Sequence, residues 1–273
     1  MNLTSPKTIK ELLAKHQAKP SKFMGQNFLI DNLVLDKIVK AGEVNLTDTI
    51  LEIGPGLGTL TQVLTKHAKK VIAIEKDHTM IKILQQTINS FKNTEIIQAD
   101  ILQTTNYSLP TTHYKLIANL PYYITSPIIR MFLEAKNQPE CLVLMVQKEV
   151  AQRICATPPN MSILAVSVQF YGTAKIIATV SKSRFWPAPK VDSAIIKITP
   201  FKNSPKVNAQ DFFAVVKAGF SHPRKQLGNN LSTALKKDRQ KINDWLLINN
   251  LNPTQRAETL TIQDWVNLVN SSE

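Results

Sequence analysis

The sequence predicts a doubly wound α/β sheet followed by a small helical domain, and three observations carry that expectation. Short apolar runs alternate with longer amphipathic ones along residues 49–200, as strands buried on both faces alternate with the helices that cover them. A glycine-rich turn, Gly54-Pro55-Gly56-Leu57-Gly58, closes the first of these apolar runs and opens an amphipathic one. Beyond Pro200-Phe201-Lys202-Asn203-Ser204-Pro205 only helical spacing remains.

After a lysine-bearing N-terminal arm, buried parallel strands are expected at Thr49–Ile53, Val71–Glu75, Glu95–Ile97, Lys115–Ala118 and Cys141–Val146. Helices are expected between them at Thr59–His67, Thr79–Phe91 and Pro127–Glu134. Lys175–Val180 and Ser193–Thr199 flank a proline-rich loop and read as an antiparallel pair at the sheet's edge. The linker divides residues 1–202 from 203–273, where helices are expected at Asp211–Ala218, Leu227–Lys237, Ile242–Ile248 and Ile262–Val269.

The formal charge of +13 is unevenly placed. Residues 175–241 hold 14 basic residues against three acidic ones, while residues 31–174 are nearly balanced. Segregation on this scale is the footprint of a polyanion binder, nucleic acid ahead of an anionic membrane surface. No run approaches the ~18 apolar residues of a membrane span and the first residues lack an apolar signal segment, so a cytoplasmic protein without a membrane partner is expected. Cys141 and Cys155 have neither Cys-x-x-Cys nor His spacing, so they read as thiols and no metal is expected.

The chemistry is read from strand ends. Gly54, Gly56 and Gly58 lack side chains where a ligand would approach the backbone, but Thr59 stands where a dinucleotide fingerprint has its last glycine. Glu75 ends the second strand, where a carboxylate can accept ribose hydroxyls, and Asp100 follows the third, where it can accept from an adenine amine or cap a helix. These elements suit a nucleoside without a pyrophosphate, and S-adenosylmethionine has that shape. Asn119-Leu120-Pro121-Tyr122 follows the fourth strand. The Asn119 side-chain oxygen and the Leu120 carbonyl can accept both hydrogens of a planar exocyclic amine, Pro121 stiffens the turn, and the Tyr122 ring can stack on the base.

Together with Gly25-Gln26-Asn27-Phe28-Leu29 and Phe185-Trp186-Pro187-Ala188-Pro189-Lys190-Val191-Asp192-Ser193, these motifs resemble those of the ribosomal RNA adenine N6,N6-dimethyltransferases, most closely the bacterial small-subunit branch. The resemblance runs from about Ser21 to Val269 and implies a Rossmann-like methyltransferase sheet. It implies that Asn27, Leu29, Gly54, Gly56, Glu75, Asp100 and Asn119 line an S-adenosylmethionine site, and that Phe185 packs on the target base opposite Tyr122. The implied reaction is dimethylation of two adjacent adenines in the 3′-terminal hairpin of 16S rRNA. The implied partner is the immature 30S subunit, met by a monomer. Phe23, Trp186 and Phe220 remain core or loop aromatics.

Two stretches depart from the family pattern. Pro158-Pro159-Asn160-Met161 replaces a Gly-Arg type pair, and Phe220-Ser221-His222-Pro223-Arg224-Lys225 has Pro223 for an arginine, with Gly228 where a basic residue is common. Arg224, Lys225, Lys236 and Lys237 are the expected RNA contacts. Three rival readings are a large-subunit rRNA adenine methyltransferase, a non-catalytic rRNA-binding assembly factor and a nicotinamide oxidoreductase with a basic tail.

Overall fold

A computed structural model describes residues 1–21, 25–103, 113–203 and 205–271. Phe23 lies outside the described residues. The chain divides into two compact units, one made of Met1–Ala151 with Lys175–Pro200, the other of Gln152–Ala174 with Phe201–Glu273.

The first unit opens with α1 (Pro6–Lys15), whose Ile9, Leu12 and Leu13 form one buried stripe and whose first turn is capped by the Ser5 hydroxyl. Lysines interrupt the apolar spacing here, which is why the sequence alone shows an arm and the structure a helix. There follow β1 (Phe28–Leu29), α2 (Asn32–Ala41), β2 (Thr49–Ile53), α3 (Thr59–His67), β3 (Lys70–Glu75), α4 (His78–Thr87), β4 (Thr94–Gln98), β5 (Lys115–Asn119), α5 (Thr125–Glu134), β6 (Leu142–Gln147) and α6 (Lys148–Ile154), whose last residues, like α7 (Ile163–Gln169), belong to the second unit. The edge elements are β7 (Gly172–Val180), β8 (Phe185–Trp186) and β9 (Ser193–Pro200).

Seven strands form one sheet in the order β4-β3-β2-β5-β6-β9-β7. The first five run parallel and β9 runs antiparallel to β6. The runs Leu51–Ile53, Val71–Ile74, Leu116–Ala118 and Leu142–Val146 are buried throughout, as a sheet covered on both faces requires. Each large apolar side chain so buried contributes about 1.5–3 kcal/mol. Lys115 starts β5 at 9% exposure, and its ammonium is satisfied by the Asp48 carboxylate at 2.8 Å and the Glu43 carbonyl at 2.9 Å. Chain order reverses between β2 and β5, so the carboxyl ends of these neighbours form the crevice where doubly wound sheets bind ligands.

A second, two-stranded ribbon pairs β1 with β8, Leu29 opposite Phe185. The Arg184 guanidinium reinforces it by donating to Asp31 at 2.7 Å, and the Arg184 carbonyl accepts from the Ile30 N–H. Nothing in the spacing of two distant dipeptides announces such a pairing.

The second unit holds α7, α8 (Ala209–Gly219), α9 (Leu227–Leu235), α10 (Arg239–Ile248) and α11 (Ile262–Asn270). Its core stacks Phe170 on Phe212 with ring centroids 4.2 Å apart and encloses Trp265, Leu227 and Leu246. The expected boundary at residue 202 therefore needs correction, because Gln152–Ala174 belongs with the later helices. Met161 of the departing Pro158–Met161 stretch is 4% exposed in this core, and its N–H donates to the Glu258 carbonyl. Met161 thus packs into the helical unit, while Pro158, Pro159 and Asn160 are exposed.

Candidate active site

Four neighbouring strand ends feed one cleft of about 1100 Å³, its open mouth included. The turn after β2, Glu75 after β3, Asp100 after β4 and Asn119–Tyr122 after β5 all line it, with Asn27, Leu29 and Phe185 on the ribbon side. The sequence-predicted cofactor and catalytic residues are therefore brought together, while the four predicted RNA contacts belong to the other unit.

The three glycines divide by role. Gly54 and Gly56 take φ of +67° and +55°, which favours glycine, and both line the cleft. Gly58, at φ +89°, faces inward, where a Cβ would sit 2.8 Å from Leu84 Cδ1 and 3.0 Å from Thr87 Oγ1. The expectation that Gly58 bares backbone to a ligand is corrected: it lets α3 start close against α4.

Glu75 is buried and works inside the protein as well as toward the cleft. Its Oε1 accepts N–H bonds from Lys76 and Asp77, both at 2.9 Å, and its Oε2 accepts from Gly56 at 3.2 Å. Burial raises its pKa, and those three backbone donors oppose the rise. A carboxylate has about four acceptor sites, so little beyond one lone pair of Oε2 is left for a ligand. Asp100 is also engaged, accepting from the Leu102 N–H at 3.1 Å and from the Lys76 ammonium at 3.3 Å. Asp100 thus caps its own turn at the cleft wall, and no helix starts there among the described residues.

Asn119 ends β5 and donates through Nδ2 to the Asn27 carbonyl at 3.4 Å, tying the N-terminal motif to the catalytic turn. Its Oδ1 takes no hydrogen bond from the described residues and remains an acceptor at the cleft. Pro121 leads into a single 3₁₀ turn, Tyr122–Ile124, which presents Tyr122 half-buried and Tyr123 55% exposed at the same cleft. The Tyr122 hydroxyl shares a 2.8 Å hydrogen bond with Ser193, and burial raises its pKa against the pull of that bond. Phe185 lines the cleft from within the core at 3% exposure, packed with Leu29 and Ile195. Trp186 is half-buried against the α1 cluster and Phe220 is buried in the helical unit, as core aromatics.

Sequence reasoning gives Glu52 no role, yet it lines the cleft at 1% exposure with Oε2 unpartnered among the described residues. Burial pushes its pKa up to about 8; the Thr61 hydroxyl pulls it down and the Glu75 carboxylate adds to the rise. A charged residue type inside an otherwise apolar strand was the available signal.

The predicted RNA contacts sit on exposed ground. Arg224 and Lys225 lie in the turn between α8 and α9, Lys236 caps α9 in the left-handed conformation and Lys237 follows. All four residues are exposed, and none of the four side chains forms an ion pair among the described residues. The departure at Gly228 has a steric reason. A Cβ there would lie 3.0 Å from the Arg239 guanidinium, which rests on the glycine.

Among the described residues no group of His, Cys, Asp or Glu could hold a metal ion, and no helix is long and apolar enough to cross a membrane. Cys141 and Cys155 are both free, the first buried and the second half-buried.

With the cleft defined, comparison with known proteins is decisive. The ribosomal RNA adenine dimethylase family model matches residues 16–273. The chain belongs to this family. Ribosomal RNA small subunit methyltransferase A of Alkaliphilus oremlandii is 41% identical, over 98% of this chain and 97% of that protein. The protein of the same name from Streptococcus mutans is 39% identical, over 99% and 98%. Among solved structures, a dimethyladenosine transferase from Plasmodium falciparum has a TM-score of 0.75 at 30% identity, covering 88% of this chain and 95% of its own. The 23S rRNA methyltransferase ErmE has a TM-score of 0.74 at 25% identity, covering 90% and 99%. The fold of this dimethylase-family chain is thus a Rossmann-like methyltransferase sheet with C-terminal helices.

Proposed function

We propose that this chain uses S-adenosylmethionine to dimethylate N6 of two adjacent adenines in the 3′-terminal hairpin of 16S rRNA, within an immature 30S subunit. The observation that carries the reading is Asn119: its amide is anchored through Nδ2, its Oδ1 is uncommitted, and it stands at the switch point beside bare glycine backbone.

The cleft fits such a cofactor on its own chemistry. Gly54 and Gly56 leave the wall without side chains, and the buried Glu52, which lines the same cleft, keeps one carboxyl oxygen without a hydrogen-bond partner among the described residues. Gly54, Gly56, Glu75, Asp100, Asn27 and Leu29 would hold it. When bound, S-adenosylmethionine supplies an electrophilic methyl on a sulfonium. The chain's part is to make a poor nucleophile competent. An adenine N6 lone pair is delocalised into the ring, and acceptors on its two hydrogens, the Asn119 Oδ1 and the Leu120 carbonyl, favour a pyramidal nitrogen and stabilise the positive charge that grows on it. Tyr122 supports the base, which must leave its stack to reach the cleft. No side-chain general base is required.

Small-subunit specificity rests on the named relatives at 41% and 39% identity. The likeness to ErmE gives the large-subunit reading an observation of its own, and primer extension over both rRNAs separates the two. Cytoplasmic location and action as a monomer complete the proposal.

The test is Asn119→Ala. Single-turnover methylation should fall by at least about tenfold while affinity for rRNA particles is retained. A parallel loss of thermal stability and RNA binding would instead mark Asn119 as a turn residue.

A further inference from the structure

We propose that Ser193 is a positioning residue for methyl transfer, fixing the Tyr122 ring through the hydroxyl pair that joins β9 to the catalytic turn. The proposal rests on the reading that Tyr122 supports the target base.

The two residues are 71 positions apart in sequence, and their hydroxyls lie 2.8 Å apart. Ser193 is the first residue of β9, is 0% exposed, and pairs in register with Gln147 at the end of β6. Its place is thus set by the sheet. The neighbouring Asp192 ties down the loop that begins at Ser181: its carboxylate accepts the Lys182 N–H at 3.0 Å and its carbonyl accepts the Lys148 N–H at 3.0 Å. Tyr122 follows Pro121 in a 3₁₀ turn, and its carbonyl accepts the Thr125 N–H. The ring is therefore held at its backbone end by that turn and at its hydroxyl end by a strand of the sheet.

That two-point hold has a purpose if the ring is a platform. A reacting amine must be placed to within a fraction of an ångström, and a ring free to pivot about its side-chain bonds would spread the base over unproductive poses. Stacking alone asks only for a π face, which phenylalanine offers equally. A tyrosine whose hydroxyl meets a fully buried serine adds orientation to stacking. The expected signature is loss in the chemical step with binding spared.

The experiment compares wild type, Tyr122→Phe, Ser193→Ala, the double variant and Tyr122→Ala. Each is assayed for single-turnover methylation of 16S-containing particles at saturating S-adenosylmethionine, for particle affinity and for cofactor affinity. Tyr122→Phe and Ser193→Ala should each slow single turnover by about tenfold with both affinities within about twofold of wild type, and the double variant should be no slower than either. Multiplying losses in the double variant, or wild-type rates in both single variants, would overturn the proposal. If Ser193→Ala does not fold, Tyr122→Phe decides: a wild-type rate refutes the positioning role. Tyr122→Ala separates the levels. A wild-type rate there removes the platform reading itself, whereas a slow Tyr122→Ala with normal Tyr122→Phe and Ser193→Ala removes only Ser193.

Discussion

At the scale of single residues, two carboxyls of the cleft make opposite commitments. Glu75 spends three acceptor positions on backbone N–H groups and joins the end of β3 to Gly56 of the glycine turn. Replacing it by Ala removes its remaining ligand acceptor and also orphans those donors, so S-adenosylmethionine affinity in calorimetry should weaken tenfold or more, about 1.4 kcal/mol. Unchanged affinity would contradict its assignment. Glu52 is the reverse case, a buried carboxyl with an unpartnered oxygen and a pKa pushed up to about 8 from an ordinary 4.5. Because the folded chain holds this proton more tightly than the unfolded one, its contribution favours folding at low pH and is lost as pH rises from about 4.5 toward 8. Glu52→Gln keeps the shape and cannot ionise. Its melting temperature should exceed that of wild type above about pH 8, and the gap should close toward about pH 5; a gap constant with pH would show that Glu52 does not titrate there. Asn119 and Gly54 are legible in the sequence because their chemistry requires those residue types at a strand end. Gly58 and Ser193 are not, since their roles depend on what α4 and the catalytic turn bring opposite them.

At the scale of elements, the parallel strands are readable because both faces are buried, so each appears as a continuous apolar run. α3 is readable for a related reason: its apolar spacing starts directly at the glycine turn. α1 and α2 escape notice because lysines punctuate short buried stripes, and the β1–β8 ribbon because two-residue strands carry no periodicity. The basic segment is an element-scale feature too: Arg224 and Lys225 precede α9, and Lys236, Lys237, Arg239 and Lys241 follow its last turn. If Arg224, Lys225, Lys236 and Lys237 track phosphates, replacing all four with Ala should weaken binding to rRNA particles. The slope of log affinity against log salt should flatten by about 0.7–0.9 for each phosphate no longer neutralised. S-adenosylmethionine affinity should not change, because none of the four lines the cleft. A quadruple variant with the wild-type slope would assign this charge to solubility.

At the scale of the whole molecule, the doubly wound sheet and the helical tail are legible in the sequence, but the segment between them is not. Gln152–Ala174 follows β6 without any composition break, and only the packing of Phe170 and Val166 in one core with Phe212 reveals that it belongs with the later helices. Chain-local composition marks linkers and cannot mark a segment that leaves one core for another and returns. Family membership spans both units, with residues 16–273 matched, so the proposed activity is assigned to the intact chain. The most direct test is to incubate the purified protein and S-adenosylmethionine with 30S and 50S particles from cells lacking this modification, then digest the rRNA and map the products by mass spectrometry. The proposal predicts N6,N6-dimethyladenosine at two adjacent positions of the 16S 3′-terminal hairpin and none in 23S rRNA. Dimethyladenosine in 23S rRNA, or none in either, would contradict it.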